Sequence, residues 1–204
     1  IRSCIRATFA SSHTIISFIE SRNYSMKHYS LREMTQIALF AALIFLGVQL
    51  FRIPLGHQFV HFGNALVVVG CLIFGSKKGA IAATLGLGIF DILNGYAAEV
   101  WITILESLIV CWGIHLVYEK TLHQNDKAVN IIGIGILAAV IKIILNLVKY
   151  TFLRGMIIGG LAFTPAFVAA FTKILGTFGS AAFTVITVPI LYPIFKKIHQ
   201  QFRA

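Results

Sequence analysis

Acidic residues are rare in this chain: seven Asp and Glu among 204 residues, beside seventeen Lys and Arg. Charged residues together reach 12%, about half the share of a soluble domain. A soluble globular enzyme, a nucleic-acid module and a disordered chain all need far more polar surface, and composition excludes them. Proline is scarce at four, and there is no low-complexity tract. The three cysteines, Cys4, Cys71 and Cys111, share no CxxC spacing. They read as packing residues, with no disulfide and no metal site. No GxxxxGK[ST], HExxH or GxSxG occurs. The chain therefore has no phosphate-gripping loop for ATP and no recognisable hydrolase or metalloprotease signature.

What is abundant is apolar: 58% of the residues, with a mean hydropathy of +0.87. The length accommodates about six spans with short loops and no large aqueous domain. Six apolar segments follow Met26, at about 32–51, 62–74, 79–93, 100–118, 129–152 and 166–195. Polar or turn-rich stretches separate them, at Arg52–His57, Gly75–Lys78, Asn94–Tyr96 and His123–Lys127. Each must be helical, because lipid offers no partner to an open strand edge. The expected fold is an all-α integral membrane protein with six transmembrane helices in a single domain over 26–204. Residues 1–25, with Arg2, Arg6 and Arg22 and an apolar patch too short to span, read as a gene-start artefact or a disordered extension.

The net charge of +10 fits basic residues retained on the cytoplasmic side. With the N-terminus inside, nine inner residues (Lys27, Arg32, Lys77, Lys78, Lys120, Lys127, Lys196, Lys197 and Arg203) face two outer ones, Arg52 and Arg154. Both termini are then cytoplasmic in a prokaryotic plasma membrane.

This topology gives depth to the polar residues. Asp91 and Asn94 fall at the outer end of the third helix and Glu99 in the next outer loop. Glu106 lies about 9 Å inside the fourth helix. Asn146, Lys149 and Tyr150 occupy the outer part of the fifth, with Lys142 deeper, and Lys173 falls about two turns into the sixth. Lys142, Asn146 and Lys149 stand at i, i+4 and i+7, so they share one face. Ionisable groups in hydrocarbon cost at least about 2.5 kcal/mol, so they point into a protein interior or a wet cavity. Flat rings share that half: Phe59, Phe62, Phe90, Tyr96, Trp101 and Tyr150. Such a mixture suits a small, planar, polar solute. The first outer loop adds His57, His61 and Asn64 at the head of the second helix. The two histidines have no evident third ligand, so no metal is assigned. The candidate substrate set is His61, Asn64, Asp91, Asn94, Glu106, Asn146 and Lys149.

Ala38 and Ala42 form an AxxxA spacing on the first helix, suited to close approach by another helix. This alanine pair, the stretch HFGNALVVVGCLIFGSKKGAIAATLGLGIFDILNGY from His61 to Tyr96, and the six-segment total resemble the substrate-binding S component of energy-coupling factor (ECF) vitamin transporters. The similarity is closest to the riboflavin, pyridoxine and hydroxymethylpyrimidine branch and covers Met26 to about Phe202. The resemblance implies capture of a vitamin at the outer face and docking on a membrane coupling subunit and two ATPase subunits. It maps the docking element to Ala38 and Ala42, leaves ATP to the partners, and implies no cofactor, no catalysis and no nucleic acid. Within the branch, a pyridoxine- or hydroxymethylpyrimidine-type vitamin is the favoured solute and riboflavin the alternative. Two other classes stay open: a small intramembrane enzyme using Glu106 or Asp91 as acid and base, and a non-catalytic assembly subunit.

Overall fold

The computed structural model describes residues 29–55 and 58–201. The expectations for residues 1–25, and those for Cys4, Lys27, His57 and Arg203, lie outside the described residues. The described residues fall into two units, one up to Thr35 and one from Gln36 onward. In the first, Ser30 and Glu33 form a reciprocal capping box. The Glu33 N–H donates to Ser30 Oγ at 3.3 Å, and the Ser30 N–H donates to Glu33 Oε2 at 2.9 Å.

The described residues hold seven α-helices, in order α1 (Leu31–Gln49), α2 (Gly63–Phe74), α3 (Ser76–Leu93), α4 (Val100–Ile114), α5 (Ala128–Val148), α6 (Phe163–Lys173) and α7 (Leu175–Gln201). A short antiparallel hairpin, β1 (Ile53–Leu55) and β2 (Gln58–Val60), pairs Ile53 with Val60. Helices α4 and α5 run on through wider π-helical turns, His115–Thr121 and Lys149–Ile158. Bonds from Leu122 N–H to the Val117 carbonyl and from Gly159 N–H to the Arg154 carbonyl have the i→i−5 span of that geometry. Among the described residues, four stretches are long and apolar enough to cross a membrane: Leu31–Gln49, Ala97–Thr121, Ala128–Ile158 and Leu175–Gln201.

Helix α2 is apolar all round, from Ala65 to Leu72, and its residues are buried on every side. Such a helix belongs at the centre of a bundle. Small residues let its neighbours close in. A Cβ on Gly79 of α3 would stand 2.6 Å from Cys71 Sγ, and one on Gly86 2.6 Å from the Ala41 carbonyl. The glycine stripe of α3 therefore serves internal packing. Cys71 and Cys111 are both free and buried, with thiols 3.4 Å apart between α2 and α4.

Two sequence expectations are corrected. The sixth apolar segment is two helices, broken at Ile174. In an unbroken helix the Thr177 N–H would donate to the Lys173 carbonyl; here it donates to Gln58 Oε1 at 2.9 Å, with the Thr177 hydroxyl on the same oxygen at 2.8 Å. Gly176 admits the hairpin at this break, since a Cβ there would lie 2.6 Å from Gln58 Cβ. Lys173 thus ends α6 instead of lying inside a span. The second correction concerns the loop after α1, where the all-α reading has no strand and the hairpin stands.

Candidate functional site

The C-terminal end of α3, the N-terminal end of α4, the C-terminal end of α5 and the N-terminal end of α7 surround a cavity of about 390 Å³, roofed by β2. Its charged centre is Glu106 of α4. Glu106 Oε2 lies 2.5 Å from Lys142 Nζ and accepts from Asn146 Nδ2 at 3.3 Å. Glu106 Oε1 stands 3.2 Å from Lys149 Nζ, but the contact is not aligned as a hydrogen bond, and this buried oxygen has none. Asn146 also donates to the Lys142 carbonyl at 3.1 Å, and its Oδ1 accepts from Gln58 Nε2 at 3.4 Å. One carboxylate thus neutralises one lysine and leaves a second cation in excess, within reach of one unspent oxygen.

A second unspent acceptor stands nearby. Asp91, near the end of α3, is only 7% exposed, and its Oδ2 has no hydrogen-bond partner. A buried polar atom left unpaired costs about 1–3 kcal/mol. Both oxygens belong to residues that line the cavity; Glu106 Oε1 has the Lys149 charge beside it, so Asp91 Oδ2 is where a bound donor would recover this cost.

Aromatic rings line the cavity as well. Phe59, Phe90 and Tyr96 have centroids 5.8 to 6.3 Å apart, and Phe90 and Tyr96 are stacked at 19°. His61 adjoins Phe59 at 5.5 Å. Its Nδ1 accepts from the Gly63 N–H at 3.1 Å, and its own N–H donates to Ser180 Oγ at 3.3 Å. An acceptor nitrogen carries no proton, so the ring is neutral, with its hydrogen on Nε2. Desolvation, reinforced by the Lys142 charge, holds its pKa down at about 3. At the rim, Arg154 pairs with Glu99. The π-helical turn matters here: i→i+5 bonding brings residues five apart towards one side, and Lys149 and Arg154 both line the cavity.

Six of the seven candidate substrate residues line this space: His61, Asn64, Asp91, Glu106, Asn146 and Lys149. The seventh, Asn94, is not among them. Its Nδ2 donates to Gln49 Oε1 and to the Phe90 carbonyl, both at 2.9 Å, and its Oδ1 accepts from Arg52 Nη1 at 3.1 Å. Both ends of that amide are spent on ending α3 and tying down α1, so Asn94 is a structural cap. Phe62 packs against Phe51 and Phe183, while Trp101 is exposed and donates to the Ala98 carbonyl. Neither ring lines the cavity. Sequence reasoning missed Gln58, Thr103, Thr177 and Ser180. The last two stand at i and i+3 in the small, polar start of α7, a signal that was visible. Ala38 and Ala42 lie away from the cavity, exposed on α1 beside the exposed Leu39 and Leu46.

The family model described as ECF-type riboflavin transporter, S component, matches residues 28–197. No curated protein matches the chain. The members of that family are transport subunits that work with a membrane coupling subunit and ATPases. An all-α multi-pass membrane protein with four long apolar helices and a polar cavity among their ends meets that description, and the chain belongs to the ECF-type riboflavin transporter S component family.

Proposed function

We propose that the cavity captures riboflavin at the outer face of the cell membrane for ATP-driven import by partner subunits. One observation carries this: a cavity that combines aromatic rings with buried acceptors to which the protein itself gives no hydrogen bond, Asp91 Oδ2 and Glu106 Oε1. A flavin is a flat three-ring system with an imide N–H between two carbonyls and a chain of hydroxyls. The rings suit the wall of Phe59, Phe90 and Tyr96. The N–H and hydroxyls suit the two oxygens that lack a hydrogen bond. Lys149 and His61 Nε2–H offer donors to the carbonyls, while Asn146 is spent on orienting Glu106 and Gln58. A volume of about 390 Å³ falls within the range of about 300–1,000 Å³ typical of ligand sites. A single pyridine or pyrimidine ring would leave most of it to water. That, with the family match, ranks riboflavin above the pyridoxine- or hydroxymethylpyrimidine-type solute favoured on sequence alone. An acid–base enzyme is disfavoured by the geometry, since Glu106 is tied to Lys142 and Asn146 through one oxygen and has Lys149 3.2 Å from the other.

The proposed topology has six crossings, namely α1, α2, α3, α4, α5 and α7, with α6 as a short helix beside the cavity. Nine inner basic residues against two outer ones support cytoplasmic termini. The chain needs no cofactor of its own in this reading, and ATP is used by the two ATPase subunits. The coupling subunit docks on the exposed Ala38–Ala42 face, where small side chains let a partner helix approach. Replacing both alanines with Trp then abolishes uptake and spares binding; equal loss of binding would refute docking there.

The deciding experiment is mass spectrometry of small molecules released from the purified protein, with fluorescence titration against riboflavin, pyridoxine and hydroxymethylpyrimidine. Riboflavin is the expected ligand, bound without turnover. Release of a one-ring vitamin, or appearance of a product, would overturn the reading.

A further inference from the structure

At the other end of the helices that build the cavity, the N-terminal end of α5 and the C-terminal end of α7 enclose a separate groove of about 300 Å³. Pro189, Pro193, Lys197 and Gln200 line it from α7 at i, i+4, i+8 and i+11, so one face of that helix forms one wall. Ile131 and Ala128 of α5 face it from the other side. The floor is apolar and the head is basic and amide-bearing.

The charges in the groove are unequal in availability. Asp126 is fully engaged: Tyr118 donates to its Oδ1 at 2.6 Å, Tyr192 donates to the same oxygen, and Lys196 pairs with Oδ2. That cluster is internally neutral. Lys197 is exposed and takes part in no ion pair among the described residues. The groove therefore carries one net positive charge over an apolar floor. Beside it on α7, Ile186, Ile190, Ile194 and Ile198 repeat every four residues and are all exposed, a strip matched to a lipid tail. A molecule that fits both parts has an anionic head and a hydrocarbon chain.

We propose that this groove binds the headgroup of an anionic phospholipid, with the phosphate at Lys197 and Gln200 and an acyl chain along the isoleucine strip. Basic pockets between membrane helices on the cytoplasmic side take such headgroups. The site depends on the membrane location of the chain and on the cytoplasmic placement of this end; it does not depend on the identity of the vitamin. It would anchor α5 and α7 at the end opposite the cavity.

Native mass spectrometry of the whole chain, released from detergent with either phosphatidylglycerol or phosphatidylcholine of the same tails, tests it. The expected result is retention of one phosphatidylglycerol in preference to phosphatidylcholine. Lys197→Gln should lower that retention about fivefold, the worth of one lysine at an anionic surface. Lys197→Arg should restore it, and Lys77→Gln, an exposed basic residue outside the groove, should leave it unchanged. Equal retention of the two lipids, or equal loss in Lys197→Gln and Lys77→Gln, would overturn the proposal. Displacement by millimolar inorganic phosphate would also overturn it and mark a soluble-anion site. Riboflavin titration of the same preparations separates the two readings. Lys197→Gln should bind riboflavin as the parent does. A parent that retains phosphatidylglycerol but binds no riboflavin refutes the vitamin reading and leaves the lipid site standing.

Discussion

Glu106 and Asp126 are carboxylates held by lysine near opposite ends of the same helices. Asp126 has both oxygens hydrogen-bonded, by two tyrosine hydroxyls and Lys196. Glu106 has one oxygen used by Lys142 and Asn146 and the other near Lys149 but without a hydrogen bond, while Asp91 Oδ2, lining the same cavity, has no partner. The first cluster is closed and holds the 122–127 turn against α7. The second is open on the cavity side and costs the protein something to keep empty. A polar group in a membrane protein is therefore informative less by its presence than by how many of its hydrogen bonds remain unmade.

The sharpest way to break this comparison is to remove each carboxylate. Glu106→Ala leaves Lys142 and Lys149 buried without a counter-charge, and loss of one partner from a buried pair costs about 3–5 kcal/mol. The Asp126–Lys196 pair is more than a third exposed on both sides, and pairs of that kind are worth at most about 1 kcal/mol. Thermal unfolding in detergent should therefore show a large drop for Glu106→Ala and a small one for Asp126→Asn. The reverse order would mean that the closed cluster, not the open one, carries the bundle.

Next in size are effects on binding. Asn64→Ala and Lys149→Ala each remove one candidate partner of the solute, and Asn146→Ala removes the amide that orients Glu106 and Gln58 beside it; each loss costs about 1–3 kcal/mol, or roughly 5- to 150-fold in affinity. Tyr118→Phe, in the closed cluster, should leave affinity unchanged. Calorimetric titration with riboflavin decides between them. If Tyr118→Phe weakens binding as much as Asn146→Ala, the two ends are coupled and the open–closed distinction fails.

The open cluster was largely legible in the sequence, and the reasons are specific. Lys142, Asn146 and Lys149 announce a shared face by spacing alone, and long apolar runs delimit α1 to α5 closely. Three features escaped. The break at Ile174 is made by Gln58, which is 119 residues from Thr177 in sequence and captures its N–H; no local pattern near Ile174 encodes that. The π-helical turn over Lys149–Ile158 carries Arg154 to the cavity, whereas ordinary helical periodicity places residue i+5 well off the face. Asn94 was assigned by depth, and depth does not reveal that an amide is already spent on Gln49, Phe90 and Arg52.

The smallest expected effect is the response to pH, and it too separates the ends. His61 Nδ1 accepts a hydrogen bond from Gly63 N–H, so protonation there must break it. Its pKa falls from an ordinary 6.5 to about 3 in the folded chain, chiefly by desolvation. Below pH 6.5 the unfolded chain takes up a proton that the folded chain refuses. The stabilisation is complete above 6.5 and is lost progressively as pH falls towards 3. Asp126 feels desolvation raising its pKa, but Lys196, Tyr118 and Tyr192 overcome this and hold it below the ordinary carboxylate value. Its contribution is therefore also lost on acidification, but only below about pH 4. Between pH 6.5 and 5.5 the cavity end alone should respond. The full linkage is about 1.4 kcal/mol per pH unit. His61 is partly exposed, which lowers the expected loss to about 1 kcal/mol. Unfolding midpoints of His61→Gln should be flatter with pH over that interval, while those of Asp126→Asn should keep the parent slope. A parent slope retained in His61→Gln would show that the imidazole takes up a proton as readily in the folded chain as in the unfolded one, and that its Nδ1 is not the acceptor that positions the head of α2 beside the cavity.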